Sequence, residues 1–411
     1  MDARTAGTGR RPILLFVVNE TYFFVSHRLP VAEAARAAGY EVHVAAPDDH
    51  VWAPEDFSIQ RLIDAGFVYH RIPLSRRGTN PLQELRTLVA IFALLRRLRP
   101  TLVHLLTVKP TLYGGLSARL LGIPAVATVT GLGHAFSGTG WRLRLLRRLL
   151  LTVYRLSLGH RRARVIFQNP DDRATLVDGG VVVASQAALV RGSGVDLTQF
   201  RPRPEPADGP PLAVMAARLI WEKGVDDFAA AARLLRHRGT AVRCVLVGRT
   251  HPDNPRAVPE SMLRSWQTEG VLEWWGRRED MAAVYAQAAM VVLPSRYGEG
   301  IPKVLIEAAA AGRAIIATDI PGCRDIARNT ENGVLVPPGD PAALAAAIAQ
   351  LAGDPELRRR LGTTGRAIAL DGFSDREVAQ RTVEVYRELT SQGRCGAPIL
   401  DKRRRGRIVS G

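Results

Sequence analysis

The sequence is short of cysteine: Cys244, Cys323 and Cys395 are the only three in 411 residues, and no pair has C-x-x-C spacing. That scarcity argues against a disulfide-stapled fold or a cysteine zinc site and points to a reducing compartment. Long apolar runs are also missing. LVAIFALLRRL and LRLLRRLLLTVYRL are interrupted by arginine before they reach the ~18 residues that a spanning helix needs, so no membrane crossing is expected. The early run ILLFVV turns into polar NETY without a small-residue cleavage pattern and reads as a first strand rather than a signal peptide. Acidic residues are the third shortage, with 39 Asp and Glu against 56 Lys and Arg and a formal charge of +17. Repeats and low-complexity segments are lacking apart from the tail DKRRRGR. At 46% hydrophobic and 23% charged, the chain falls outside the collagen-like, disordered and coiled-coil classes.

What is present is a rhythm. Short β-branched runs at 12–18, 41–46, 101–106, 124–129, 165–168 and 188–191 alternate with alanine- and leucine-rich stretches of helical period, among them a helix over 26–38 that starts behind Ser26 as N-cap and closes at Gly39. From Phe200 the run RPRPEPADGPP carries five prolines and no periodicity, which reads as an interdomain linker. The rhythm then restarts, with strands at 212–217, 241–248, 290–295 and 314–319 and helices at 224–238 and 302–311. One core rarely exceeds ~250–300 residues, so two α/β domains with doubly wound parallel sheets are expected. Their strands' carboxyl edges would face a shared cleft.

Two stretches carry candidate chemistry. In VVLPSRYGEGIPKVLIEAAAAG (291–312) a strand ends at Pro294–Ser295 and a glycine loop follows. Pro302 stands where a first helical residue fits, since its missing N–H costs nothing there. The amides around Gly300 and Ile301 would then point from a helix N-terminus, a ready site for phosphate. Glu299 in the loop and Glu307 in the helix place two carboxylates at different depths, suited to accepting hydrogen bonds from sugar or ribose hydroxyls. In AARLIWEKG (216–224) Arg218 and Lys223 flank a strand-to-helix turn, where two cations would neutralise a diphosphate. For two glutamates or two loop cations alone, solvated side chains would be the simpler account; position along the fold favours a site.

The spacing E-x7-E from Glu299 to Glu307, with R-x4-K from Arg218 to Lys223, resembles the retaining glycosyltransferases of family 4, which have the GT-B fold. EKGVDDFAAAARLL, GEGIPKVLIEAAAAGRAIIATDIPGCRD and NGVLVPPGD match as well. FFVSHRLPVAEAARAAGYEVHVAAP, HLLTVKPTLYGGLSARLLGIP, VTGLG and IFQNPDDR are similar to members that add sugars to polyprenyl-diphosphate-linked saccharides of bacterial surface polysaccharides. The resemblance covers roughly residues 12–390. It implies an acceptor-binding Rossmann-like domain over 1–200, a donor-binding one over 201–372, a helix over 373–392 that returns to the first domain, and a basic tail over 393–411.

It also implies site roles. Arg218 and Lys223 would hold the donor diphosphate, Gly300 and Ile301 would offer it amides, Glu307 would bind the ribose, and Glu299 would contact the transferred sugar. The segment Gly276 to Arg278, with Arg277 foremost, would flank the base. The chain holds no D-x-D sequence, so transfer without metal or other cofactor is expected, from a nucleotide-sugar donor for which uridine is preferred over guanosine. Many relatives carry a histidine in a T-x-H-G turn; here TVTG (128–131) puts Thr130 in its place, with His134 in the next loop. His27, His104, Thr130, His134 and Asn19, the last beside Glu20 where the family commonly has Gly-Gly, are candidate cleft or acceptor residues, each with a capping or packing role as its alternative.

The excess of positive charge has two centres. WRLRLLRRLLLTVYRLSLGHRRAR (141–164) contains eight arginines and no acid among leucines, the composition of a helix lying in an anionic membrane interface. The last nineteen residues carry six basic residues against Asp401. A peripheral location on the inner face of the cell membrane follows, with a leucine face packed inward as the simpler alternative. Nucleic acid is not an expected partner, because neither segment interleaves aromatic residues. The readings that compete with sugar transfer are a GT-B nucleotide-sugar epimerase or phosphorylase and, more remotely, a nonenzymatic polyanion-binding protein.

Overall fold

The structure, a computed structural model, describes residues 11–48, 58–75, 80–132, 140–250 and 254–392. Two parallel sheets divide the chain. The first has strands β1 (Ile13–Val17), β2 (Glu41–Ala46), β3 (Val68–Arg71), β4 (Leu102–Leu106), β5 (Ala125–Val129), β6 (Ala163–Phe167) and β7 (Ala187–Leu189), in the order β3-β2-β1-β4-β5-β6-β7. The second has β8 (Leu212–Ala216), β9 (Arg243–Val247), β10 (Glu273–Trp274), β11 (Met290–Leu293), β12 (Ala314–Thr318) and β13 (Gly333–Val336), in the order β10-β9-β8-β11-β12-β13. Parallel strands are buried on both faces, and each sheet accordingly has an apolar cluster on either side. Helices cover the first sheet: α1 (Thr21–Ala37), α2 (Ser58–Asp64), α3 (Pro81–Leu98), α4 (Val108–Leu121), α5 (Trp141–Leu158) and α6 (Pro170–Asp178). Those of the second are α7 (Val225–His237), α8 (Glu260–Thr268), α9 (Met281–Gln287), α10 (Lys303–Ala310), α11 (Pro341–Gly353) and α12 (Pro355–Leu370).

The segment Arg201–Pro211 carries neither helix nor strand. The chain then crosses back: α13 (Asp375–Gln392) lies against α1 and sends Val378, Val383, Tyr386 and Leu389 into the core of the first domain. The two crossing strands of chain run side by side, with the Val195 amide donating to Phe373 O (3.0 Å) and the Asp375 amide to Val195 O (3.1 Å).

The first helix begins five residues before the expected Ser26. Ser26 lies inside α1, where its hydroxyl donates back to Tyr22 O at 2.7 Å instead of capping. The misplacement has a cause. Pro30 is at home in a first turn, so a start near 26 suits the sequence, but here it sits in mid-helix.

Helix α5 also departs from the simple packed arrangement. Among its described side chains, buried apolar residues occur only in the last turns, at Tyr154 and Leu158, whereas Trp141, Leu145, Leu146 and Leu149 are exposed beside exposed Arg144, Arg147 and Arg148. Leu82, Leu85 and Val89 of α3 are exposed too, and α3 and α5 both pack on α4. Because each of these helices feeds a parallel strand, α3 into β4 and α5 into β6, their N-termini lie at the strands' carboxyl edge, the edge that faces the cleft. Among the described residues no helix is long and apolar enough to cross a membrane.

Candidate active site

Between the two sheets lies a cleft of about 1110 Å³. Its second-domain wall is built where β8 and β11 end. Strand β11 gives way to a loop that brings Glu299 to Lys223, with which it forms a short ion pair, and to Ser295, whose hydroxyl donates to Glu299 Oε1. Thr318, at the end of β12, donates to Ser295 O at 2.6 Å and fixes that turn from behind. Lys223 reaches this point because Gly224 ends a 3-10 turn in the left-handed region (φ 73°), where a Cβ would collide with Pro294 O. Arg218 lines the same wall.

Loops of the first domain grip the other side of the Glu299 segment. The Asn169 side chain donates to Glu299 O at 3.1 Å while its own oxygen accepts from Asp172 N at 2.7 Å and caps α6. Burial raises the Asp172 carboxyl to about 6. Gly131 and Gly300 meet face to face: a Cβ on Gly131 would fall 2.7 Å from the Gly300 nitrogen, and one on Gly300 would strike Gln168 and the Thr130 carbonyl. This contact corrects one expectation. The Gly300 amide donates to Thr130 O at 3.1 Å, across the cleft, and is not directed at a ligand. The reason is the close approach that glycine on both sides permits. Among the described residues the Ile301 amide carries no such bond. Helix α10 starts at Lys303, with Pro302 as its N-cap rather than as its first helical residue.

One turn and a half into α10, Glu307 is buried, accepts a hydrogen bond from Tyr285 at 3.0 Å and lies 3.7 Å from Lys303. Burial raises its pKa, and Lys303 and Tyr285 act against that rise. Lys303 has a second partner in the other domain. Pro30 has no N–H to give the Ser26 carbonyl, and the Lys303 ammonium donates to that oxygen instead, at 2.6 Å. Beside it, the half-buried His27 ring pairs with the Ser26 hydroxyl (2.8 Å) and stacks on Phe23. Burial, then Lys303 and Arg28, hold its pKa well below the ordinary value, so the ring is neutral. At the mouth, Arg277 lies over the Tyr22 ring (4.9 Å) and pairs with Glu279 at 3.3 Å, while Arg61 of α2 approaches Glu279 at 4.0 Å.

The cleft therefore brings together Asn19, His27, Thr130, Arg218, Lys223, Arg277, Glu299, Gly300, Ile301 and Glu307. It does not include His104. That ring, 1% exposed, is bonded to the Tyr386 hydroxyl through Nδ1 (2.5 Å) and to Thr128 through Nε2 (2.7 Å), and burial drives its pKa well down. Its register on β4 turns it to the face covered by α1 and α13, so it is a core histidine. His27 is likewise in the second turn of α1, not at its opening. His134 lies outside the described residues. Asn169, Ser295, Tyr285 and Lys303 were not singled out from the sequence. Only Lys303 had a local signal, its i, i+4 spacing to Glu307. Among the described residues no group of three or more His, Cys, Asp or Glu converges in a way that could hold a metal.

The family profile described as glycosyl transferases group 1 matches residues 210–354, and that described as glycosyl transferase 4-like matches 13–169. The chain is 27% identical over 372 residues to the N,N'-diacetylbacillosaminyl-diphospho-undecaprenol alpha-1,3-N-acetylgalactosaminyltransferase of Campylobacter jejuni, covering 87% of this chain and 94% of that one. Among solved structures, sucrose-phosphate synthase of Thermosynechococcus elongatus superposes with a TM-score of 0.74 at 22% identity, over 93% of this chain and 100% of that one. Anabaena HepE in complex with UDP-glucose gives 0.72 at 17% identity, over 92% and 100%. At these identities the two structures speak for the fold.

Proposed function

The chain belongs to the family 4 glycosyltransferases of GT-B fold, and from that premise we propose that it moves a sugar from a uridine-diphosphate donor to a polyprenyl-diphosphate-linked saccharide, with retention of configuration. The observation that carries this reading is the convergence of Arg218, Lys223, Glu299 and Glu307 on one wall of the cleft. The Campylobacter relative, whose name specifies a diphospho-undecaprenol acceptor, supports the lipid-linked acceptor, and the UDP-glucose in HepE supports the donor.

In this reading the sugar C1–O bond to the donor diphosphate breaks, and negative charge grows on the diphosphate as positive charge grows on the sugar. Arg218, Lys223 and the Ile301 amide stabilise the departing diphosphate, a preorganised arrangement that needs no metal or other cofactor. Glu307 accepts hydrogen bonds from the ribose hydroxyls, Glu299 faces the transferred sugar, and Arg277 flanks the base. The acceptor hydroxyl oxygen attacks from the face the diphosphate leaves, and a diphosphate oxygen takes its proton.

In this reading the protein lies on the inner face of the membrane with the cleft mouth turned towards it, and the exposed leucines and arginines of α3 and α5 support that placement. Each arginine near an anionic bilayer contributes ~1 kcal/mol, so R144E/R147E/R148E should weaken binding to phosphatidylglycerol vesicles on the order of a hundredfold.

The activity test supplies purified protein with UDP-sugars and a polyprenyl-diphosphate saccharide. Product and UDP are expected in equal amounts, only when both substrates are present, and with the donor's anomeric configuration. A new nucleotide-sugar isomer formed without acceptor would instead identify an epimerase.

A further inference from the structure

Three arginines of the described chain are almost fully buried, and two of them are saturated with acceptors. Arg313 donates to the carbonyls of Tyr285, Ala286 and Arg203, and Arg358 donates to Glu205 and to the Leu351 carbonyl. Arg28 of α1, 3% exposed, is the exception. Its Nε and Nη2 are buried and have no hydrogen-bond partner, and no carboxylate among the described residues lies within ion-pair distance of it. Nε and Nη2 form the side-on edge of the guanidinium. Elsewhere in this chain that same edge grips carboxylates: Arg243 holds Glu273 with it at 2.8 and 2.9 Å, and Arg296 holds Asp227 at 2.8 and 2.6 Å.

A guanidinium is among the costliest groups to bury without a counter-charge, and burial lowers the Arg28 pKa to about 10. Two saturated arginines show how this fold treats a purely structural one. Arg28 lines the cleft on the first-domain wall, opposite Arg218 and Lys223. The same wall presents Thr107 and Ser193, whose hydroxyls are also buried without partners.

We propose that Arg28 anchors a second oxyanion subsite, separate from the donor diphosphate groove, that receives a phosphate or carboxylate carried by the acceptor. The planar side-on fork matches two oxygens of either group. The inference rests on the reading that Arg218 and Lys223 occupy themselves with the donor, which leaves the opposite wall to the other substrate. Arg28 then selects acceptors that bear an anion near the reacting sugar.

The test is a thermal-shift titration of the full-length protein held at saturating UDP, with inorganic phosphate, inorganic pyrophosphate and glucuronate as separate probes. The expected result is a second saturable rise in melting temperature. Its half-saturation concentration should be about tenfold higher in R28K, which keeps the charge but loses the fork, and the rise should vanish in R28M, with the UDP response unchanged in both. A response to the phosphates alone assigns the subsite to a lipid diphosphate, and one to glucuronate alone assigns it to an acidic sugar. The proposal is overturned by the absence of a second rise in the wild type, or by an R28M response equal to it. Should R28M not fold, R28K decides: a half-saturation unchanged from the wild type overturns the proposal. Absence of any UDP response would count against the donor reading instead, and the Arg28-dependent phosphate response would still be read separately.

Discussion

The two walls of the cleft hold their charges in opposite ways. On the second-domain wall the carboxylates come with partners, Glu299 with Lys223 and Ser295, and Glu307 with Lys303 and Tyr285. On the first-domain wall α1 presents Arg28 with its side-on edge unpartnered and a neutral His27. A wall of paired charges is held in place before a ligand arrives, and in the proposed reaction the diphosphate would meet groups already positioned. A wall with an unpaired cation is tuned by what binds it.

The strongest way to break this contrast is on the paired wall. Lys223→Ala should lower kcat on the order of a hundredfold, because in the proposed reaction it removes a cation from the departing diphosphate. A stopped assay under saturating donor measures it, and a loss of only a few-fold would mean that the wall is not preorganised around that charge. Next comes Tyr285→Phe. Hydrogen bonds to charged groups contribute about 1.5–3 kcal/mol, so the donor KM should rise by roughly tenfold or more. Removing that donor also pushes the Glu307 pKa further up, so the acidic limb of the kcat/KM profile should move to higher pH.

Asn169 separates anchoring from folding. Asn169→Ala loses the α6 cap, worth about 1 kcal/mol, the bond to Asp172 Oδ2 and the bond to Glu299 O. Asn169→Ser keeps a capping oxygen but loses the amide donor to Glu299 O and to Asp172 Oδ2, so it should lose less stability than the alanine variant yet turn over several-fold more slowly. The smallest catalytic effect belongs to His104→Leu: no change in kcat, with stability reduced by ~1–3 kcal/mol as Tyr386 and Thr128 lose their partner. Its pH signature has a definite sign. The folded His104 pKa lies below the ordinary 6.5, so the unfolded chain binds the proton first and stability falls as pH drops below about 6.5. In the leucine variant that decline, followed by thermal melts between pH 7 and 5, should be shallower.

The paired wall was also the more legible one. Glu299, Gly300, Ile301 and Glu307 lie within one strand–loop–helix unit, and Arg218 and Lys223 within one turn, so local spacing sufficed to place them. The groups that hold them were not legible, because Asn169 reaches Glu299 across 130 positions of sequence and Tyr285 reaches Glu307 from a separate helix. His104 takes the packing role that stood as its alternative, for a different reason. A strand end suggests the cleft edge, but alternation along β4 turned its ring into the core, where Tyr386 arrives from the far end of the chain. The alternating rhythm disclosed both sheets, yet not the short edge strands β3 and β13, and Pro30 disguised where α1 begins.

That proline has a consequence for how the lobes are joined. An ordinary residue at position 30 would give the Ser26 carbonyl a donor within its own helix, and Lys303 would then compete with a backbone amide for the oxygen it holds. The missing hydrogen in one domain thus creates a socket that only a long cation from the other can fill. Because that cation also leans on Glu307, the fastening between the lobes and the carboxylate deep in the cleft are two ends of a single side chain.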